Sequence, residues 1–371
     1  MTMKRFLLHI IYITALLPFL GSCSQTDDVP TDVSDSDRVQ LSLCVTTRAL
    51  PQEGMEIGTG TPENMHLWVF GSVNDNQNTN GYDKLAYREI NSPSFAGSDA
   101  FGNPVHTITD LDIPEGKKYT KMYFYVVLNS ESVTGMGDIN ENTTITALQE
   151  LTFNGIVQGK DDNQMLMYGM SELEINPHKT NYETGIEVTR AVAKLELHFT
   201  KKDSNSELVI QKATLSSVIG RGYLVPTPLL NDNAIYKDAT NVVLFEDSEN
   251  IDQFLETEEY YGNFSQHEEY FEELTLSAPY LMENPYGLDW TDYQVDDKYP
   301  ETDSSTDVSK YYKLTVDYVI DKTKDIETFY LPKIERNHLY KIYIRARSTE
   351  FELNWEAVPF DQVINEIPTF N

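Results

Sequence analysis

The residues able to do chemistry are numerous in this chain but rarely fall at the spacings that chemistry needs. The run Asn76-Gln77-Asn78-Thr79-Asn80-Gly81 puts side-chain oxygens at alternate positions and a glycine sixth, as the first half of a calcium loop does. The twelfth position should supply a bidentate glutamate and is Tyr87, so the run predicts a hairpin connection made of turn-forming Asn and Gly. The seven histidines form no HExxH and no pair at metal-ligand spacing, so neither a metal nor another cofactor is expected. No P-loop and no GxSxG occurs. Paired acids such as Glu268 with Glu269 and Glu272 with Glu273 could serve glycoside hydrolysis, but with 59 acidic residues in 371 such pairs arise by composition alone. Trp68, Trp290 and Trp355 could stack on a sugar. Trp68 and Trp355 stand in alternating runs suited to sheet interiors, which leaves Trp290 as the candidate ligand contact. An enzyme needs a nucleophile with its base, a metal cluster or a phosphate cradle. None is assembled here, and the chain is not expected to be an enzyme.

The most specific chemistry belongs to the Cys23 thiol. Basic Lys4 and Arg5 precede an apolar stretch from Phe6 to Leu20, which ends in Leu20-Gly21-Ser22-Cys23. Fifteen residues interrupted by His9, Thr14 and Pro18 fall short of the ~20 that span a bilayer as a helix, so residues 1–22 predict a cleavable signal peptide. Small Gly21 and Ser22 before a cysteine resemble the lipobox of bacterial lipoproteins, which implies that Cys23 is acylated and becomes the new N-terminus. Acyl chains contribute about 0.8 kcal/mol per buried CH₂, so several on one residue imply stable anchoring in the outer membrane. Residues 23–38 are acidic and lack apolar periodicity, the composition of a solvated tether. Asp27 and Asp28 look like the acidic export signal of surface lipoproteins in Bacteroidetes-type bacteria. With Cys23 acylated, Cys44 has no intramolecular partner and reads as a small sheet residue.

The elements that would position these groups are strands. Val39, Leu41, Leu43 and Val45 alternate with Gln40, Ser42, Cys44 and Thr46, and period two recurs over 65–70, 84–90, 120–129, 192–200, 208–219, 311–320, 326–331, 338–347 and 350–358. Helix is predicted only for 144–151, capped by Asn142 or Thr143, and for 251–260. Nothing alternates strand with helix, so the fold class is all-β, with β-sandwiches the default and few short helices. About two domains fit the length. The polar run 175–185 divides an N-terminal β-sandwich domain, 39–180, from a C-terminal one, 181–371. The acidic stretch 289–307 predicts a surface excursion. The formal charge of −31 becomes −33 when Lys4 and Arg5 leave with the signal, which excludes nucleic acid as a partner.

Several segments, in order, resemble the fimbrillins, the lipoprotein-derived subunits of the type V pili of Bacteroidales. After the lipobox comes CVTTRALPQEG (44–54), where an alternating strand ends in Thr-Thr-Arg48-Ala49, similar to the arginine site at which these pilins mature. VTRAVAKLELHF (188–199) looks like the opening strand of the family's C-terminal domain, APYLMENPYG (278–287) like its Tyr-x-x-Glu-Asn segment, and LPKIERNHLYKIYI (331–344) like its Arg-Asn-x-x-Tyr hairpin. VPFDQV (358–363) carries Phe360 where many members have Trp.

The resemblance implies two transthyretin-like β-sandwich domains in tandem and a structural or adhesive role in a cell-surface pilus. It implies cleavage of the Arg48–Ala49 bond by an arginine-specific protease and refilling of the vacated groove by a neighbour's strand. The best donor in this sequence is the C-terminal stretch, with Phe351, Leu353 and Trp355 alternating and Val363, Ile367 and Phe370 following. The expected partners are other pilus subunits, the outer membrane through lipid, and a host or glycan receptor. The expected location is the outer membrane, surface-exposed, and then the fimbrium. Two alternatives share these features: a pilus anchor that keeps its lipid, and a surface-tethered glycan-binding lipoprotein.

Overall fold

The computed structural model describes residues 37–47, 62–73, 82–98, 104–132, 139–154, 165–226, 239–256, 264–287, 308–347 and 351–359. The first half of the chain supplies β1 (Val39–Thr47), β2 (Asn64–Ser72), β3 (Tyr82–Asn91), β4 (Gly97–Ser98), β5 (Pro104–Ile113), β6 (Lys121–Leu128), helix α1 (Ile145–Glu150), β7 (Thr152–Asn154), β8 (Met167–Glu174) and β9 (Asn181–Arg190). Eight of these strands form one sheet in the order β3-β2-β6-β8-β9-β1-β5-β4. At its centre β8 and β9 pair only through Met167 with Arg190 and Tyr168 with Thr189, so the sheet folds over at this corner. A Cβ on Gly169 would collide with the Glu187 carbonyl and Val188, which is why a glycine stands at this approach. The two halves close on Leu41, Leu43, Leu67, Phe124, Val126 and Ile186, the alternate residues of their strands.

The second half supplies β10 (Ala193–Lys201), β11 (Leu208–Val218), β12 (Arg221–Tyr223), β13 (Thr240–Ile251), β14 (Glu272–Glu273), β15 (Tyr280–Leu281), β16 (Lys313–Ile320), β17 (Thr323–Tyr330), β18 (His338–Ala346) and β19 (Phe351–Pro359). One sheet runs β14-β10-β18-β19, with β15 also on β10, and the other runs β13-β11-β16-β17. Leu195, Leu197 and Phe199 of β10 meet Ile210 and Leu215 of β11 and Val316 of β16 between them. The all-β class expected from the sequence is thus found as two sandwiches. They are joined: the outer face of β2 and β6, with Trp68, Phe70 and Tyr125, continues through Leu148 and Phe153 into the second core. β7 of the first half pairs with β12 of the second.

Three local expectations change. The polar run 175–185 holds the start of β9, which pairs with β1 and β8, so the chain reaches the second sandwich only at β10. Its outward Asn181, Glu183 and Glu187 masked the inward Tyr182, Ile186 and Val188. The 251–260 helix is absent over its described residues, because Ile251 ends β13 and Leu255 is buried from an irregular segment. Helix α1 forms, but its cap is Thr144, whose hydroxyl accepts the Ala147 N–H at 3.1 Å.

Candidate functional site

The strand that the sequence singles out, β1, occupies an interior slot. It pairs in parallel with β9 from Gln40 opposite Asn181 to Thr47 opposite Val188, and antiparallel with β5 from Val39 opposite Ile113 to Thr46 opposite Val105. A bulge between Leu41 and Leu43 adjusts the β5 side. Val39, Leu41, Leu43 and Val45 are at most 1% exposed. Each contributes roughly 1.5–3 kcal/mol by burial, so the strand is firmly held while the chain is intact. Arg48 and Ala49 follow Thr47 directly and lie outside the described residues, as do Cys23, residues 1–36, the 76–81 loop, Trp290 and the 289–307 stretch. Cys44 corrects one expectation: it lies on β1 as a sheet residue but is disulfide-bonded.

The candidate donor residues divide. Phe351, Leu353 and Trp355 lie on β19, which pairs with β18 of the same chain from Ala346 opposite Phe351 to His338 opposite Pro359. Phe351 and Leu353 are buried in the second core. Val363, Ile367 and Phe370 lie outside the described residues. Among the described residues, the C-terminal stretch up to Pro359 is thus committed to the sheet of its own chain.

The motifs at 280–284 and 336–340 are wired to each other. Arg336 Nη2 donates to Glu283 Oε2 at 2.7 Å and Arg336 Nη1 to the Leu224 carbonyl at 2.9 Å. Asn337 adopts a left-handed φ of 58°, and its Oδ1 accepts the Arg190 N–H at 3.2 Å while its own N–H donates to Val192 O at 2.9 Å. Asn284 Nδ2 donates to Lys310 O at 3.0 Å, and the Glu335 N–H donates to Tyr340 Oη at 2.7 Å. These residues hold the crossing from β9 to β10. Their chemistry is that of a joint.

Two polar clusters bring together residues far apart in the sequence. At one end of the first sandwich Ser130 Oγ lies 3.0 Å from His66 Nε2, His66 Nδ1 lies 2.9 Å from Tyr87 Oη, and Tyr87 donates to Glu89 Oε2 at 3.3 Å. The order imitates a catalytic relay, but Ser130 is buried and also donates to Asn64 Oδ1 at 3.2 Å, so it offers no accessible nucleophile. Burial, then Glu89, pushes the Tyr87 hydroxyl up to about 12.

The second cluster lies on the outer face of β10. Glu196 and His198 are two apart on that strand and share a face, and His198 stands opposite Glu273 of β14. On the other side the His198 ring stacks on Tyr343 of β18, with centroids 4.9 Å apart. Lys194 Nζ lies 3.4 Å from Glu196 Oε1, and Lys341 Nζ donates to Glu268 Oε1 at 2.8 Å. Burial works to raise the Glu196 carboxyl, but His198, Lys194 and Lys341 together hold it below the usual range. Glu273 is pushed up, first by burial and then by Glu196.

No protein-family model matches the chain, and no curated protein is similar to it. Solved structures resembling it include a fimbrial assembly protein from Parabacteroides distasonis, 12% identical with a TM-score of 0.47 over 87% of this chain and 99% of that one. Another is the tip fimbrial protein Mfa3 from Porphyromonas gingivalis, truncated at its C-terminus: 13% identical, TM-score 0.49, over 87% of this chain and 99% of that one. A third is a provisionally named cell adhesion protein from Bacteroides eggerthii: 13% identical, TM-score 0.48, over 86% of this chain and 96% of that one. The likeness is one of fold.

Proposed function

We propose that this chain is a structural or adhesive subunit of a cell-surface pilus, exported as a lipoprotein and assembled by proteolysis-triggered strand exchange. The observation that carries the reading is the position of β1. It is an apolar strand in the middle of a sheet, immediately followed by Arg48, with ladder partners on both sides. Cutting the Arg48–Ala49 bond turns a covalently retained strand into a detachable one. Its loss leaves an apolar groove and two rows of unpaired backbone groups, which is a template for another chain. The donor is the segment after Pro359, with Val363, Ile367 and Phe370 as its apolar positions, because Phe351 and Leu353 serve the second core.

The export step assigns acylation to Cys23. The chain has two cysteines, so a lipidated chain has no thiol left to pair with Cys44, and lipid and disulfide exclude each other. Intact mass spectrometry of membrane-derived protein separates them, a diacylglyceryl adduct supporting the lipoprotein reading. The experiment that tests assembly is electrophoresis without boiling after mild arginine-specific proteolysis. A ladder of oligomers without any added ligand supports the pilus subunit, whereas a monomer that binds polysaccharide favours the glycan-binding alternative.

A further inference from the structure

We propose that Glu196, His198 and Glu273 form a binding site for a divalent cation of the zinc class. One potential ligand atom from each residue lies within 4.8 Å of the others. Donors about 2.1 Å from a tetrahedral zinc ion stand roughly 3.4 Å apart, so a small contraction brings the three onto one ion. The strands fix two of the three residues and place the third. Glu196 and His198 share the outer face of β10 because Leu195, Leu197 and Phe199 take the inner one. Glu273 reaches the same spot through its register with His198, from the exposed edge strand β14, where it can swing and admit an ion.

The second, independent observation is the state of the imidazole. His198 is 2% exposed, and its Nε2 makes no hydrogen bond, although Glu196 Oε2 stands 3.4 Å away. A buried polar atom left in this way is destabilising. A cation between Nε2 and the two carboxylates removes that cost through the nitrogen lone pair. Tyr343 stacking holds the ring plane, and Glu268 Oε1, anchored by Lys341, stands 3.9 Å from Nδ1. With its proton on Nδ1, the ring offers the Nε2 lone pair to an ion held beside Glu196 and Glu273.

The donor set decides the metal. One imidazole and two carboxylates leave one position open for water and balance the charge of a divalent ion. Calcium and magnesium need a fuller shell of oxygens, whereas zinc and cobalt accept this mixture. An ion here would fasten the edge strand β14 to β10.

The test uses the full chain, stripped with a chelator, dialysed and titrated with zinc chloride by calorimetry, with cobalt absorption as a second readout. One ion per chain is expected, accompanied by a rise in melting temperature. Glu273→Gln, at the exposed edge, should keep the fold by circular dichroism and weaken zinc binding at least about tenfold, and His198→Gln should do the same. Absence of saturable zinc binding overturns the proposal. So does unchanged affinity in Glu273→Gln, or binding of calcium or magnesium as tight as that of zinc.

Discussion

Arg345 on β18 and Glu352 on β19 are cross-strand neighbours and form an ion pair shut away from solvent, with Arg345 fully buried and Glu352 6% exposed. The same guanidinium donates to the Leu255 carbonyl at 3.2 Å and covers the Phe264 ring at 5.0 Å. Arg347 adds a second contact to Glu352. The final strand is thus fastened at its beginning by charge that cannot be exposed cheaply.

Glu352→Ala should therefore destabilise the second sandwich by about 3–5 kcal/mol, because it strands a buried guanidinium. Replacing both partners, Arg345→Met with Glu352→Leu, should restore stability to within about 1–2 kcal/mol of the native chain. Urea unfolding of the three proteins checks the difference.

The first strand offers a different kind of loss. Leu43→Ala removes a fully buried side chain from β1 and should cost about 2–5 kcal/mol in the uncleaved protein. In the cleaved protein it should speed departure of the strand, read as faster ladder formation at equal extents of cleavage. Equal rates would show that release of β1 does not limit assembly.

Removal of residues 360–371 separates folding from assembly. Since β19 ends at Pro359, the truncated chain should keep its circular dichroism and its cleavage at Arg48 while losing the oligomer ladder. Arg48→Ala should lose the ladder as well, by retaining the covalent connection. A truncated protein that still polymerises refutes the C-terminal donor.

Burial lowers the His66 pKa below 6.5 against the opposing pull of Glu89 and Glu131, while Tyr87 and Ser130 contact its ring nitrogens. Below pH 6.5 the unfolded chain takes up a proton that the folded chain resists, so the unfolded state binds more protons and stability falls as pH drops from 6.5 towards the lowered value. His66→Gln should flatten that part of the pH–stability curve. An unchanged slope would mean that His66 is not the responsible group.

Strands buried on one face could be read directly from the sequence, and β1 and β16 show why: each alternation has one solvent-facing or half-covered side. β13 was invisible because its second half, Glu246-Asp247-Ser248-Glu249-Asn250, is an exposed edge with no apolar face to keep a period. The 251–260 helix fails because Ile251 ends a strand and Leu255 belongs to the irregular return that follows it. The Tyr-x-x-Glu-Asn and Arg-Asn-x-x-Tyr segments were recognisable as strings, but only the fold shows that Glu283 and Arg336 meet. Glu273 is one acid among 59, and its partners stand more than seventy residues away. The local trace of that cluster is Glu196-Leu197-His198, within a strand whose one side, Lys194, Glu196, His198 and Thr200, is polar throughout.

The two unlike neighbours of β1 carry a directional consequence. A strand that takes its place in the same sense runs parallel to β9 and antiparallel to β5, whereas the reversed sense exchanges the two ladder types and their bond patterns. Under the proposed exchange, each contact joins one subunit's tail to the next subunit's slot, two different surfaces. Such a contact is not self-complementary, and repeated without closure it builds an open fibre whose two ends differ, one presenting an empty slot and the other an unused tail.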